Sequence, residues 1–293
     1  MANKRRIGAD AARIARGLRA RAMATATLLL VALTLTSASP RDHPLTLMYI
    51  ANEGVLVATG PHRILIDALF DAPNSEYAAP APDLLDRLIG GEAPFHDVEL
   101  LLVTHNHPDH FRVSVVDRFL LGHSQTVLIA PVDVVQALRD SANHWTAYQG
   151  RVRPLDLGVG ERATQQYSGG HVTALRTLHS GARESPMNLM YLVETDGWIV
   201  FHEGDPDSDA EVFRGVEENG KPIDLALVHY WYPFNPIGRR ILDEFLMPRH
   251  VALMHLPVSQ SLISAEMFAG LDDRFTLLAR PGQELELRPG EVR

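Results

Sequence analysis

Glu99-Leu100-Leu101-Leu102-Val103-Thr104-His105-Asn106-His107-Pro108-Asp109-His110 runs from an apolar segment straight into three histidines and an aspartate. A short apolar run of this kind, Glu99–Val103, predicts a buried strand. Alternate residues of an extended segment point the same way, so His105 and His107 present their imidazoles to one point in space. The chain turns at Pro108, and Asp109 and His110 reach a second point nearby. Four polar groups beside a buried strand are costly unless something binds them. Imidazole and carboxylate donors suit zinc, manganese or iron.

Working outward, the preceding segments Leu45–Ile50, Gly54–Ala58 and Arg63–Ile66 are short, apolar or alternating, and divided by Asn, Gly and Pro. They predict consecutive strands of a meander. Pro82–Ile89, Val113–Leu121 and Val132–Ser141 read as helices, with Thr126–Ala130 a strand between the last two. A second series begins near Arg151. Strands are expected at Ala163–Tyr167, Val172–Leu178, Leu189–Glu194, Trp198–His202, Leu225–His229 and Val251–Met254, and helices at Asp207–Val216, Gly238–Leu246 and Ser261–Leu271. Strands followed by alternating helix and strand in each half predict two sheets packed face to face with helices outside, a four-layer αββα sandwich of the α/β class.

Three further ligand candidates stand where second-half strands end. His179 follows Val172–Leu178, Asp205 follows Trp198–His202, and His255 follows Val251–Met254. The C-terminal edge of strands is where open α/β sheets gather ligands. His229, Tyr230 and Trp231 follow another such strand and either line a pocket or pack on the core. His202 lies on a strand and reads as a packed histidine. Asp71, Asn74 and the proline-rich run to Pro82 form either a loop over the site or a plain connector. His123, His144 and His171 carry no motif.

At these residues the chain resembles the metallo-β-lactamase superfamily. The H-x-H-x-D-H motif stands as His105-x-His107-x-Asp109-His110. The later histidine matches His179, the glycine–aspartate step Gly204-Asp205, the last histidine His255, and the strand-end aspartate Asp67. The likeness spans about Leu45 to Leu256 and looks most like the lactonase and phosphodiesterase branch. The resemblance implies two divalent metal ions, zinc first, with manganese or iron as alternatives. One is held by His105, His107 and His179, the other by Asp109, His110 and His255, with Asp205 bridging. Asp67 then accepts a ring N–H from a ligand histidine and fixes its tautomer. Two such metals activate water for attack on an ester, lactone, phosphodiester or amide bond, with Asp109 or Asp205 assisting the proton. Efficient opening of a β-lactam is not expected, because true β-lactamases generally lack an aspartate at the Asp205 position. Two other readings fit the same fold. One is a mono-iron oxygenase of the persulfide dioxygenase type, using two histidines of the first triad and Asp205; the other is a non-hydrolytic binding protein.

Bulk properties narrow the partners. Of 293 residues, 46 % are apolar and 22 % charged, which excludes a disordered or fibrous chain and allows one large α/β domain. Residues 1–38 hold seven of the basic residues and one acid, leaving 20 basic and 35 acidic residues in the remainder, a net −15. Such a body repels polyanions, so a small-molecule substrate is expected and a nucleic acid is not. There is no cysteine, hence no thiolate ligand, thiol nucleophile or disulfide. Residues 1–38 run from a basic stretch through apolar Ala24–Leu35 to Thr36-Ser37-Ala38, the order of a signal peptide. The expectation is export to the periplasm or beyond, with no stable membrane insertion after cleavage; an uncleaved anchor is the alternative. The hydrolase domain is then residues 39–293.

Overall fold

Runs of leucine, valine and isoleucine punctuated by Asn52-Glu53-Gly54 and Gly60-Pro61 leave little choice but strand–turn–strand for the first described segment. The computed structural model describes residues 41–71, 76–217, 220–260 and 267–290. The candidate signal segment 1–38 and Asn74 lie outside them.

The first sheet opens as an antiparallel meander of β1 (Leu45–Ala51), β2 (Gly54–Thr59) and β3 (His62–Ile66). It continues in parallel through β4 (Leu100–Leu102), β5 (Val127–Pro131) and β6 (Val152–Leu155). The crossovers carry α1 (Pro82–Gly90), α2 (Val113–Gly122) and α3 (Val132–Ser141). A short helix, α4 (Trp145–Tyr148), precedes β6.

The second sheet repeats this plan. The strands β7 (Arg162–Tyr167), β8 (Gly170–His179), β9 (Arg183–Thr195) and β10 (Trp198–His202) pair antiparallel. They are followed in parallel by β11 (Leu225–His229), β12 (His250–Met254) and β13 (Phe275–Leu277). Finally β14 (Glu284–Leu287) returns to the first sheet and pairs with β1, Leu45 opposite Leu287. Among the described residues each sheet has seven strands, in the orders β14-β1-β2-β3-β4-β5-β6 and β13-β12-β11-β10-β9-β8-β7.

Strand alternation builds the layers. Ile64, Ile66 and Leu102 face inward onto Tyr191, Val193, Val200 and Leu227 of the other sheet. Leu65, Leu101 and Leu128 face outward, where Leu88, Val116, Phe119 and Leu138 of the helices cover them. On the far side Phe201, Val228 and Leu253 are covered by Phe213, Ile241 and Phe245. Apolar residues on both faces of the parallel strands are what a doubly covered sheet requires. The four-layer αββα sandwich is the observed architecture.

Several element boundaries differ from the sequence expectation. The expected helix 207–216 is a 3₁₀ turn, Ala210–Phe213, followed by α5 (Arg214–Glu217). The Asp209 side chain accepts from the Glu211 N–H and starts the turn only there. The expected helix 238–246 begins earlier, as α6 (Pro236–Arg240), because Asn235 caps it and Pro236 takes its first position. It then widens into a π-helix over Ile241–Leu246. Of the expected helix 261–271, residues 261–266 lie outside the described residues, and Met267 and Phe268 are helical. Strands β6, β13 and β14 were not anticipated, and β9 starts six residues before its expected position.

Candidate metal centre

Strand direction gathers the polar residues at one edge of each sheet. β8, β10, β11 and β12 run the same way, so His179, Asp205, His229 and His255 all emerge at the same edge. In the first sheet Asp67 and Thr104–His110 follow the parallel strands β3 and β4. Because β2 runs antiparallel to β3, the β1–β2 turn also lies at that edge. The turn brings Asn52 and Glu53 into the site.

Backbone geometry holds these groups in place. Asn52, Asp67 and His255 have positive φ, of 51°, 47° and 57°. Asn, Asp and His are among the residues that tolerate this region, and its use is a cost accepted for position. Gly204 has φ 58°, and a Cβ there would stand 2.6 Å from Asn188 Oδ1 and 2.8 Å from Thr104 Cβ. Only glycine fits, which is why a Gly-Asp step delivers Asp205. Asn188 clamps the same loop. Its Nδ2 donates to Glu203 O at 3.2 Å and to Thr177 Oγ1 at 2.9 Å, and its Oδ1 accepts from Asp205 N at 3.0 Å. Across the sheets, Leu189 N donates to Thr104 O at 3.0 Å and Tyr191 Oη to Val103 O at 2.8 Å, fixing the start of the histidine loop.

The first donor set is His105, His107, His179 and Asp205, whose ligand atoms lie within 4.8 Å of one another. Nε2 of His105 is 3.1 Å from His107 Nδ1 and 3.6 Å from Asp205 Oδ2. His179 Nε2 is also 3.6 Å from Asp205 Oδ2, buried and without a hydrogen-bond partner among the described residues. Hydrogen bonds behind the rings orient them. Thr104 Oγ1 donates to Asp67 Oδ2 at 2.5 Å, so His105 Nδ1 donates to Thr104 Oγ1 at 3.0 Å and leaves its Nε2 lone pair inward. His110 Nδ1 donates to Asp67 Oδ2 at 2.9 Å, turning its Nε2 toward Asp205 Oδ2 at 3.7 Å. Asp67 thus stands behind the His110 ring, on the side away from Asp205.

On the other side of Asp205 a second set converges: Glu53, Asp205, His229 and His255. His255 Nδ1 is 2.8 Å from Glu53 Oε1 and 3.3 Å from Asp205 Oδ1. His229 Nε2 is 3.7 Å from Glu53 Oε1 and 3.6 Å from Asp205 Oδ1, while its Nδ1 faces Glu203 Oε1 at 2.6 Å. Glu203 also accepts from His229 N and from Tyr232 Oη. A third set joins Glu53, Asp67 and His110. Asp109 lies apart from these sets. Its Oδ2 is 3.9 Å from His110 Nε2, and Asn52 Nδ2 donates to its backbone oxygen and to Oδ2 at 3.2 and 3.3 Å.

Of the pocket candidates, only His229 enters the centre. Tyr230 and Trp231 pack against the outer core of the second sheet. His202 is structural: its Nε2 donates to Glu53 O at 3.0 Å and its Nδ1 accepts from Gly204 N at 3.2 Å, tying the two loops together. Sequence reasoning missed Glu53 and Glu203.

Electrostatics make the case for a cation. Glu53, Asp67, Glu203 and Asp205 are buried, and among the described residues each of their ion pairs runs to a histidine. Burial, reinforced by Asp205, Glu203 and Asp67, pushes the Glu53 carboxyl well above its ordinary value. Burial also opposes charge on Asp205, but His255, His110 and His105 outweigh it and hold that carboxyl well below. Burial keeps His105 and His107 low, helped by neighbouring imidazoles, and brings His255 down to about 3. For His229 burial works the same way, yet Glu203 and Asp205 overcome it and raise the ring to about 10. So many buried carboxylates and inward-facing ring nitrogens fit divalent cations better than they fit one another.

Comparison with known proteins gives the family. Residues 62–278 match the family model described as "Beta-lactamase superfamily domain". A UPF0173 metal-dependent hydrolase of Pyrococcus furiosus is 27 % identical over 239 residues, covering 78 % of this chain and 93 % of its own. The metallo hydrolase Igni18 of Ignicoccus hospitalis superposes with a TM-score of 0.55 at 15 % identity, covering 84 % of this chain and 99 % of its own. The diiron β-hydroxylase CmlA of Streptomyces venezuelae superposes with a TM-score of 0.52 at 14 % identity, over 85 % of this chain and 54 % of its own. With the αββα sandwich, the histidine loop and the family match over most of its length, the chain belongs to the beta-lactamase superfamily.

Proposed function

We propose that this protein is a metal-dependent hydrolase with two divalent cations, zinc first among them, acting on an ester, lactone, phosphodiester or amide bond of a small molecule. The observation that carries it is the placement of Asp205. Its Oδ2 faces His105, His110 and His179, and its Oδ1 faces His229 and His255, so one carboxylate addresses two groups of nitrogen donors. Metal-dependent hydrolases similar in sequence over most of their own length support the reaction class. Cations bound there supply a Lewis acid that lowers the pKa of water and polarises the reacting oxygen. The chain itself does the orienting. Asp67 holds the His110 ring and Thr104 the His105 ring, each leaving a ring nitrogen aimed inward, and Glu203 accepts from the His229 backbone N–H with its Oε1 2.6 Å from the ring Nδ1. Glu203 can also hold a proton at His229 Nδ1.

From the basic, apolar and small-residue order of residues 1–38 we also propose that the body is exported, released by cleavage after residue 38. N-terminal sequencing of protein recovered from the producing cell tests that: a chain starting at Met1 inside the cytoplasm would sink it.

Elemental analysis of protein made without added metal tests the central claim. About two equivalents of zinc or manganese, followed by turnover in a screen of lactones and phosphodiesters, is the expected result. One equivalent of iron with oxygen uptake would replace it with the oxygenase. No metal after reconstitution would end it.

A further inference from the structure

We infer that Glu53 is itself a metal ligand, completing with His229, His255 and Asp205 the second cation site of the proposed hydrolase. The inference rests on the two-metal reading above and departs from the ligand set that the resemblance implied.

The donor spacing supports it. A tetrahedron of ligands about 2.0–2.1 Å from a zinc ion has edges of about 3.3–3.4 Å. The edges Glu53–His255, Asp205–His255, Asp205–His229 and Glu53–His229 measure 2.8, 3.3, 3.6 and 3.7 Å, which bracket that value. Glu53 is fully buried, and its Oε2 has no hydrogen-bond partner among the described residues. A buried carboxylate whose ion pairs, among the described residues, run to imidazoles is costly, and a divalent cation offsets that cost. Glu53 and His229 are anchored from behind. His202 Nε2 fixes the Glu53 carbonyl at 3.0 Å, Glu203 accepts from the His229 backbone N–H, and Gly54 packs directly on the Asp67 backbone, where a Cβ would meet Asp67 O at 2.8 Å.

Asp109, which the resemblance paired with His110, belongs to none of the three donor sets, and its Oδ2 lies 3.9 Å from His110 Nε2. The Asn52 amide nitrogen lies 3.3 Å from Asp109 Oδ2 and 3.5 Å from His110 Nε2. Its bond to the Asp109 carbonyl, which can only accept, sets the amide with the N–H groups inward. A hydrogen-bond donor therefore faces the two atoms that would have to share a cation.

The test is zinc titration of the full, metal-depleted protein by calorimetry, with bound metal counted by elemental analysis and folding checked by circular dichroism. Wild type takes up two equivalents. Glu53→Gln, which keeps the shape and removes the charge, retains one and weakens the other at least about 100-fold. His229→Gln does the same, and carries the test if Glu53→Gln fails to fold. Asp109→Asn keeps both. Two equivalents of unchanged affinity in Glu53→Gln, or loss of one in Asp109→Asn alone, would overturn the assignment. A wild type with a single equivalent, lost in His107→Ala, overturns the assignment and the two-metal reading together. A single equivalent lost in Glu53→Gln but kept in His107→Ala leaves Glu53 as a ligand and removes only the two-metal reading.

Discussion

His110 Nδ1 lies 2.9 Å from Asp67 Oδ2, and the same oxygen accepts from Thr104 Oγ1. One buried carboxylate therefore sets the orientation of two histidines, His110 directly and His105 through the threonine. Asp67→Asn puts an amide N–H against one of these donors and frees a ring to rotate. Metal affinity is expected to fall about 10- to 100-fold, with the fold retained, as read by zinc titration and circular dichroism. Unchanged affinity would show that the rings are held by packing alone.

Asn188 is the clamp of the Glu203–Asp205 loop, with bonds to Thr177, Glu203 and Asp205. Asn188→Ala leaves a buried carbonyl and a buried N–H without partners. A loss of about 1–3 kcal/mol in stability is expected, together with weaker metal uptake because Asp205 is no longer fixed. Denaturant unfolding of the metal-free protein measures the first effect separately from the second. A variant as stable as wild type would mean that water replaces the clamp.

The histidine loop was legible because extended backbone alternates and a buried strand has no other use for four polar groups. His179, Asp205 and His255 were legible for a related reason: each ends a strand, and strand ends meet at one edge. Glu53 was not. Asn52-Glu53-Gly54 reads as an ordinary hairpin turn, and turns are polar in any protein. The missing step was topological: a turn entering β2 must lie at the C-terminal edge of β3, because the two strands are antiparallel. Glu203 was hidden beside a motif residue, since its bonds to the His229 backbone and to Tyr232 are what distinguish it from a strand-end glutamate. Strand β14 alternates as Glu284-Leu285-Glu286-Leu287, yet its partner, β1, is some 240 residues earlier in the chain, and no local signal carries that pairing.

Gly204 and Asn188 are coupled sterically. A Cβ at Gly204 stands 2.6 Å from Asn188 Oδ1, and φ is 58°. Gly204→Ala is expected to cost about 1 kcal/mol for the backbone alone and about 1–3 kcal/mol more for the overlap. In the Asn188→Ala background the closest overlap is gone, so the two costs should sum to less than their separate values. A double-mutant cycle in denaturant measures this, and strict additivity would exclude the clash as the main term.

Away from the metal centre, buried Asp117 accepts from His144 N and Nδ1 and from Tyr148 Oη, at 3.1, 2.8 and 2.8 Å. Burial disfavours its charge, but the tyrosine hydroxyl and the His144 bonds outweigh that and hold the carboxyl below its ordinary value of 3.8. A carboxyl lowered in the folded state binds fewer protons there than in the unfolded chain. Its contribution is therefore fully present above the unfolded value and is lost as pH falls through the folded one. Asp117→Asn, of the same shape, removes the charge and sets an N–H against donors, so it should destabilise by about 1–3 kcal/mol near neutrality. The gap between variant and wild type should narrow as pH falls from about 5 to about 3. Every other titrating group is common to both proteins, so the difference isolates Asp117. A gap that stays constant across that range would mean that the carboxylate charge contributes nothing to the fold.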